Sequence, residues 1–142
     1  MSKVMKSIFK ALVLIVIGGI TYTSIELLWR GRTHISMFFL GGVCFYLIGL
    51  LNEVATWEDP LALQCLCGSM LITVLEFITG SYVNCYLGLN VWDYSSLPFN
   101  FMGQICLFFS ICWYFLSLVA IILDDYLRYF IFKEEKPQYK IV

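Results

Sequence analysis

A polar, aromatic stretch at residues 91–106, VWDYSSLPFNFMGQIC, lies between two long apolar runs and carries side chains that can bind a ligand. It places an aspartate between two aromatic residues and follows them with a proline of fixed φ, which a simple connecting loop does not require. Such a segment predicts a rigid shape at a membrane surface, either for packing or for binding a ligand. The polar and aromatic residues concerned are Trp92, Asp93, Tyr94, Pro98, Asn100 and Gln104.

Ionisable residues in the first and third apolar runs could join this stretch. Glu76 lies within LITVLEFITG, and an ionised carboxylate facing lipid is costly, so it is expected to face the interior, be paired or be protonated. Arg30, Arg32 and Asp93 are its expected neighbours, in a cluster that either binds an anionic or zwitterionic ligand or clamps the loops. The predicted outer cluster comprises Glu26, Arg30, Arg32, His34, Glu76, Trp92, Asp93, Tyr94, Asn100 and Gln104.

Spacing gives two helical ion pairs and one capping residue. Glu26 and Arg30 are four residues apart with the acid first, which is the favourable order, and Asp124 and Arg128 have the same spacing. The second pair predicts that the last helix continues through Arg128. His34 is expected to cap a helix or accept a hydrogen bond, although it could also titrate near neutral pH.

A further polar group is expected on the opposite side of the membrane from the outer cluster. We interpret it as a solvated interface, with a docking surface for a cytoplasmic partner as the alternative. Its acidic turn could contact Arg128 or Lys133. Its members are Asn52, Glu53, Glu58, Asp59, Asp124, Asp125 and Arg128.

Composition shows which elements must position these residues. The chain has 142 residues, of which 61% are hydrophobic and only 13% charged, so a soluble domain is excluded. The net charge is −1 and no basic block is present, so nucleic-acid binding is not expected. We predict an all-α, polytopic membrane protein with a four-helix transmembrane bundle and a structured outer loop between spans three and four. It forms a single transmembrane domain over 1–142, with spans at 11–29, 35–51, 61–83 and 101–123 and a short cytoplasmic tail at 133–142.

The distribution of Lys and Arg predicts the orientation. Seven lie on the side of both termini, and two, Arg30 and Arg32, lie on the other side. The positive-inside rule therefore predicts that both termini lie on the cytoplasmic side of a bacterial plasma membrane. At the span boundaries, Asp59 and Pro60 are expected to start the third helix, Pro98 and Asn100 the fourth, and Gly80 and Ser81 to interrupt the third.

Neither catalysis nor metal binding is expected. The chain has no phosphate-binding glycine loop, no G-x-S-x-G elbow and no H-E-x-x-H motif. Its single histidine and the Cys65-x-Cys67 spacing do not suit a zinc site. We therefore expect no catalytic residues, no metal ligands and no cofactor.

Four segments carry a family resemblance: ELLWRGRTHISMFFLGG at 26–42, LEFITG at 75–80, VWDYSSLPFN at 91–100 and GQIC at 103–106. With these segments the chain resembles the bacterial integral membrane family labelled putative ABC-transporter type IV, or putative ABC transporter permease, from about residue 22 to residue 139. The combination of WDYS, PFN and GQIC is long and irregular. The family's matching positions are Glu26, Arg30, His34, Glu76, Gly80, Trp92, Asp93, Tyr94, Asn100 and Gln104.

The resemblance implies a permease-like or accessory membrane subunit of a transport system whose substrate is unknown. The alternative is a non-transporting membrane scaffold or sensor whose outer loops bind another membrane protein. Because the chain has no nucleotide-binding motif, an ATPase would be a separate subunit. Four spans are few for a pathway, so a homodimer or partner membrane subunits are expected, together with the lipid bilayer.

Overall fold

Four helices of membrane-spanning length dominate the computed structural model, which describes residues 1–142. Each is long and apolar enough to cross a bilayer, so the prediction of an all-α, polytopic membrane protein is confirmed. A π-helical turn follows α3, and two short antiparallel strands precede α4. The elements are α1 (Lys3–Arg30), α2 (Ile35–Val54), α3 (Leu61–Gly80), the π-helical turn (Ser81–Tyr86), β1 (Asn100–Phe101), β2 (Ile105–Cys106) and α4 (Leu107–Phe130).

The chain forms two compact units whose boundary lies inside α2. The first unit, Met1–Leu47, contains α1 and the beginning of α2, and the second, Ile48–Val142, contains the remaining elements. That all of 1–142 acts as a single domain stays a prediction.

In the first unit, α1 begins before the predicted residue 11 because Ser2 caps it. The Ser2 hydroxyl accepts a hydrogen bond from the Met5 N–H at 3.2 Å, so the lysine-bearing segment is already helical. The helix ends at Arg30 and is capped by Gly31, which has a φ of 73°, a conformation that glycine adopts without steric cost.

In the second unit, α3 and α4 pack antiparallel along a seam of small polar residues. The Ser69 hydroxyl donates to the Ser110 carbonyl, and the Thr73 and Ser110 hydroxyls are 2.8 Å apart. Helix α3 ends at Gly80 and the chain continues as the π-helical turn, which confirms the predicted interruption at Gly80 and Ser81. We call the end of this pair nearest residues 81–106 the loop end, and the opposite end the terminal end.

The predicted start of α3 is wrong in its mechanism. Asp59 does not cap the helix, because its carboxylate accepts from the Thr56 N–H at 2.8 Å and closes the preceding turn. The first N–H groups of α3 instead donate to the terminal segment 131–142: Leu61 to the Lys140 carbonyl at 2.7 Å, and Ala62 to the Ile141 carbonyl at 3.2 Å. Distant backbone carbonyls thus satisfy donors that a helix start leaves free.

The predicted start of α4 is also wrong. The apolar run from residue 101 begins as a hairpin, with Phe101 paired to Ile105, and the helix starts only at Leu107. Pro98 therefore precedes the hairpin and Asn100 lies in its first strand, so neither starts α4. At its other end α4 reaches Phe130, which confirms that the helix continues through Arg128.

Candidate functional site

At the loop end, the carboxylate of Glu76 is buried against two neutral donors. Glu76 is 2% exposed and projects from α3. Its two oxygens accept from the Tyr94 hydroxyl at 2.7 Å and from the Trp113 indole N–H at 2.9 Å. Tyr94 in turn stacks on Phe109, with ring centroids 4.7 Å apart. Hydrogen bonding thus satisfies a carboxylate that would be costly to leave unpaired in a membrane-spanning helix.

The loop at residues 91–106 is anchored by the indole of Trp92. Trp92 is 3% exposed, and its N–H donates to the Gln104 carbonyl at 3.0 Å. Gln104 also accepts from the Asn84 side-chain amide at 2.8 Å, while the Asn84 oxygen accepts from the Val91 N–H at 2.7 Å. Both Trp92 and Gln104 lie against Gly80, where a Cβ atom would come within 2.8 Å of the indole ring. The absence of a side chain at Gly80 lets the loop close on α3.

Asp93 and Asn100 shape the loop through backbone hydrogen bonds. The Asp93 carboxylate accepts from the Ser95 N–H at 2.9 Å, and this bond lowers the pKa of Asp93 below its usual value. Asn100 accepts from the Gly103 N–H at 3.0 Å and donates to the Leu97 carbonyl at 2.8 Å. These polar side chains therefore hold the turn in a fixed conformation.

The other predicted cluster residues belong to the first unit and have local partners. Glu26 forms the expected ion pair with Arg30 at 3.6 Å, and its second oxygen accepts from Tyr22. The His34 ring accepts from the Ser36 N–H at 3.1 Å at the start of α2. Arg32 is exposed. A cluster that joins Arg30 and Arg32 to Glu76 and Asp93 stays a prediction.

Replacing Glu76 with leucine is expected to lower the free energy of unfolding by about 2 kcal/mol or more, because two part-buried donors, Tyr94 and Trp113, lose their acceptor. Glutamine keeps an acceptor oxygen for Trp113 and an amide for the Tyr94 hydroxyl, so its cost should stay below about 1 kcal/mol. Reversible unfolding in bicelles would measure both, with Glu58→Gln as an exposed control. Equal losses for leucine and glutamine would show that the negative charge of Glu76 matters, not only its hydrogen bonds.

At the terminal end, a guanidinium group is buried among carboxylates. Arg128 is 4% exposed, and its Nε lies 2.8 Å from Asp124, which is fully buried. Its Nη1 lies 3.5 Å from Glu53 on α2 and 3.8 Å from Glu134 in the terminal segment. A Cβ atom on Gly49 would come within 2.5 Å of Asp124, so the glycine makes room for this carboxylate. The predicted i,i+4 pair and the predicted contact with the acidic turn are both confirmed.

Asp125, next along α4, joins three parts of the chain. One of its oxygens accepts from the Asn52 side-chain amide, and the other accepts from the Tyr139 hydroxyl at 2.8 Å. Tyr139 also packs edge-on against Trp57, with ring centroids 6.1 Å apart. Burial, followed by donation to Asp125, raises the pKa of Tyr139 above its usual value. Together with the contacts of Arg128, these bonds define the charged terminal cluster of Asn52, Glu53, Asp124, Asp125, Arg128, Glu134 and Tyr139.

A cavity of about 380 Å³ opens beside the charged terminal cluster. Oxygens of Glu53, Asp124 and Asp125 approach one another within 4.8 Å, an arrangement that could hold a metal ion. However, Asp124 is engaged by Arg128, and both oxygens of Asp125 already accept hydrogen bonds. A metal would have to displace these partners. The residues lining the cavity are Asn52, Glu53, Ala55, Trp57, Asp125, Arg128, Glu134 and Glu135.

Raising the pH above about 10 is expected to destabilise the docked terminal segment. The pKa of Tyr139 is raised in the folded state from its ordinary value of 10.0, so its stabilising contribution is complete below that pH and is lost as the pH rises beyond it. Thermal unfolding between about pH 8 and pH 11 would measure the loss. Tyr139→Phe should flatten this part of the profile, and an unchanged slope in that variant would contradict the assignment.

The charged terminal cluster corrects the interpretation as a solvated interface for its buried members, whereas Glu53 and Glu58 of the predicted group are exposed. Asp124, Asp125 and Arg128 are each no more than 4% exposed. The spacing of Asp124 and Arg128 was a usable signal, but Asn52 and Tyr139 are far from Asp125 in sequence, and no local pattern joins them. The loop end thus offers a closed carboxylate site, whereas the terminal end offers a charged cavity.

Comparison with known protein families matches residues 2–141 to the family described as Putative ABC-transporter type IV. The match covers nearly the whole chain and therefore includes both the loop end and the terminal end. No solved structure matches the chain.

Proposed function

The chain belongs to the putative ABC-transporter type IV family, and from this premise we propose that it is a permease-like or accessory membrane subunit of a transport system. It is a multi-pass, transport-associated membrane protein with four candidate spans. The proposal assigns no catalytic role to the chain itself.

The observation that carries the proposal is the charged cavity at the terminal end. Packing of helices in a membrane does not require buried charged residues, and burying them is costly. Asp124, Asp125 and Arg128 are nevertheless buried at the end of a membrane-spanning helix. Ionisable residues in such positions are typical of ligand pathways and of sites that couple subunits. The cavity of about 380 Å³ is lined by Asp125 and Arg128, so it gives a partner or a substrate a route to two of these residues.

The proposed partners follow from the predicted orientation. If both termini lie on the cytoplasmic side of a bacterial inner membrane, the charged terminal cluster faces the compartment that contains ATP. A separate ATPase subunit would then engage the acidic rim formed by Glu53, Glu134 and Glu135. A second copy of the chain, or other membrane subunits, would complete a pathway.

Purification of the native complex in mild detergent, followed by mass spectrometry, tests the proposal. We expect an ATPase subunit to co-purify, and its ATP hydrolysis to change when the membrane subunit is removed. The charge-reversing variant Glu53→Lys should weaken that association, whereas Glu58→Lys, outside the cavity, should not. Two results would refute the permease-like role: recovery of the chain without any ATPase, or with an ATPase whose rate of ATP hydrolysis is the same with and without the chain.

The alternative function, a non-transporting scaffold or sensor, is supported by the surface of the loop at residues 91–106. Its hydrogen-bonded core presents three large apolar side chains outward: Phe99, Phe101 and Met102 are 80%, 59% and 63% exposed. A rigid apolar surface of this kind is typical of protein or membrane contact. Site-specific photo-crosslinking from position 99 in cells distinguishes the cases, since a scaffold predicts one membrane-protein adduct and a lipid contact predicts none.

A further inference from the structure

We propose that the hairpin at residues 99–106 lies in the bilayer, at the boundary between acyl chains and headgroups, and that acyl chains cover its apolar side. In this position the hairpin fills the part of the fourth span that α4 leaves empty. It consists of β1, β2 and the turn between them, together with Phe99. All of these residues belong to the second unit, and the proposal does not depend on the permease-like role.

The apolar part of α4 is too short to cross a bilayer by itself. The hydrocarbon core of a bilayer is about 30 Å thick, and α3, with 20 residues, is about 30 Å long. Helix α4 begins at Leu107, and its apolar part ends before Asp124, where the charged terminal cluster starts. At a rise of about 1.5 Å per residue, this part is about 25 Å long. About 5 Å of the span is therefore left for another element to fill.

Contacts with α3 place the hairpin at the depth of this missing part. Phe101 packs against Phe77, in the last turn of α3, with ring centroids 5.5 Å apart. A Cβ atom on Gly80, the last residue of α3, would come within 2.6 Å of the Gln104 side chain. The hairpin thus lies beside the end of a membrane-spanning helix rather than beyond it.

Tyrosines mark the same depth on the π-helical turn that follows α3. Tyr82 and Tyr86 stack with ring centroids 5.8 Å apart, and they are 57% and 79% exposed. Tyrosine is enriched at membrane–water boundaries, because its ring is apolar and its hydroxyl can reach water. Since the turn begins directly after Gly80, the boundary lies at the end of α3, where the hairpin packs.

The polarity of the hairpin is that of a segment in contact with lipid. Its large apolar side chains point away from the protein, since Phe99, Phe101 and Met102 are 80%, 59% and 63% exposed. Its polar side chain Gln104 is instead only 5% exposed. No charged residue occurs from 94 to 123. In water such an apolar surface would need a cover, whereas acyl chains cover it without a protein partner.

The backbone of the hairpin is also paired within the protein, which a position away from bulk water requires. Phe101 pairs with Ile105 in the antiparallel ladder. The Gln104 N–H donates to the Phe101 carbonyl at 3.1 Å, and the Leu107 N–H donates to the Phe99 carbonyl at 3.2 Å. The hairpin therefore needs few hydrogen bonds from water, and headgroups at the boundary can supply those that remain.

Depth-dependent fluorescence quenching of the full chain in phosphatidylcholine nanodiscs tests the proposal. One protein carries an environment-sensitive fluorescent amino acid at position 99, where an exposed side chain is replaced, and another carries it at position 96. Position 96 is the matched control, because it is exposed in the same loop and lies near Asp93, the charged residue of that loop. A lipid brominated on its acyl chains should quench position 99 at least about twofold more than position 96, and aqueous iodide should show the reverse order.

Three results would overturn the proposal. Equal quenching of positions 99 and 96 by iodide would place the hairpin in water. Equal quenching of both by the brominated lipid would mean that the hairpin is no deeper than the rest of the loop. Shielding of position 99 from both quenchers would show that a second copy of the chain covers it. A label at position 102, also exposed, should repeat the result for position 99 and checks that the label itself has not moved the hairpin.

Discussion

Replacing Arg128 with methionine is expected to lower the free energy of unfolding by about 3–5 kcal/mol, because it leaves Asp124 buried without its cation. Asp124 is fully buried, and one of its oxygens has no hydrogen-bond partner even with Arg128 in place. Equilibrium unfolding in bicelles, at a fixed protein-to-lipid ratio, would measure the loss.

Two further variants separate the charge from the packing. The double variant Arg128→Met with Asp124→Leu removes both charges, and it should recover to within about 1 kcal/mol of the parent chain. Lys133→Met removes an exposed positive charge nearby, and its effect should be within about 0.5 kcal/mol. A double variant as unstable as Arg128→Met would show that the guanidinium acts through packing and through its contacts with Glu53 and Glu134.

Replacing Trp92 with alanine should destabilise the second unit by about 3–5 kcal/mol, because a large buried ring is removed from the contact between the loop and α3. The change also leaves the Gln104 carbonyl without its indole donor and uncovers Gly80. Hydrogen exchange should show faster opening in residues 91–106 than in α3. Thermal unfolding would measure the global loss.

Trp92→Phe is the informative companion to this change. It keeps most of the apolar contact but loses the hydrogen bond, so about 1–2 kcal/mol of the loss should remain. Trp29→Ala serves as the exposed control, since Trp29 is 69% exposed. If Trp92→Ala left the exchange of residues 91–106 unchanged, the indole would not be the anchor of the loop.

The sequence was sufficient to predict the helices but not the contacts that hold the elements of the second unit together. Hydropathy predicted four spans, because membrane helices must be long and apolar, and spacing predicted the pairs of Glu26 with Arg30 and Asp124 with Arg128. The start of α4 was missed because Phe101, Ile105 and Cys106 are as apolar as the helix that follows. Two-residue strands leave no periodicity to detect.

The two ends of the α3–α4 pair differ in how far they could be predicted. At the loop end, the burial of Glu76 followed from the cost of a lipid-facing carboxylate, and Tyr94 was among the predicted residues. Its second donor, Trp113, was not, because an indole within an apolar run resembles ordinary packing. At the terminal end, Asn52 and Tyr139 meet Asp125 through tertiary contacts alone, and sequence spacing carries no information about such contacts.

The hydrogen bonds between the start of α3 and the terminal segment can form only at the end of translation. Helix α3 leaves the ribosome well before Lys140 and Ile141, whose carbonyls accept from its first N–H groups. Until α4 has been inserted and these last residues have been translated, the first turn of α3 must rely on water or lipid headgroups for its hydrogen bonds. A chain that stalls after Phe130 would hold its membrane helices, yet would lack the residues that complete the beginning of α3.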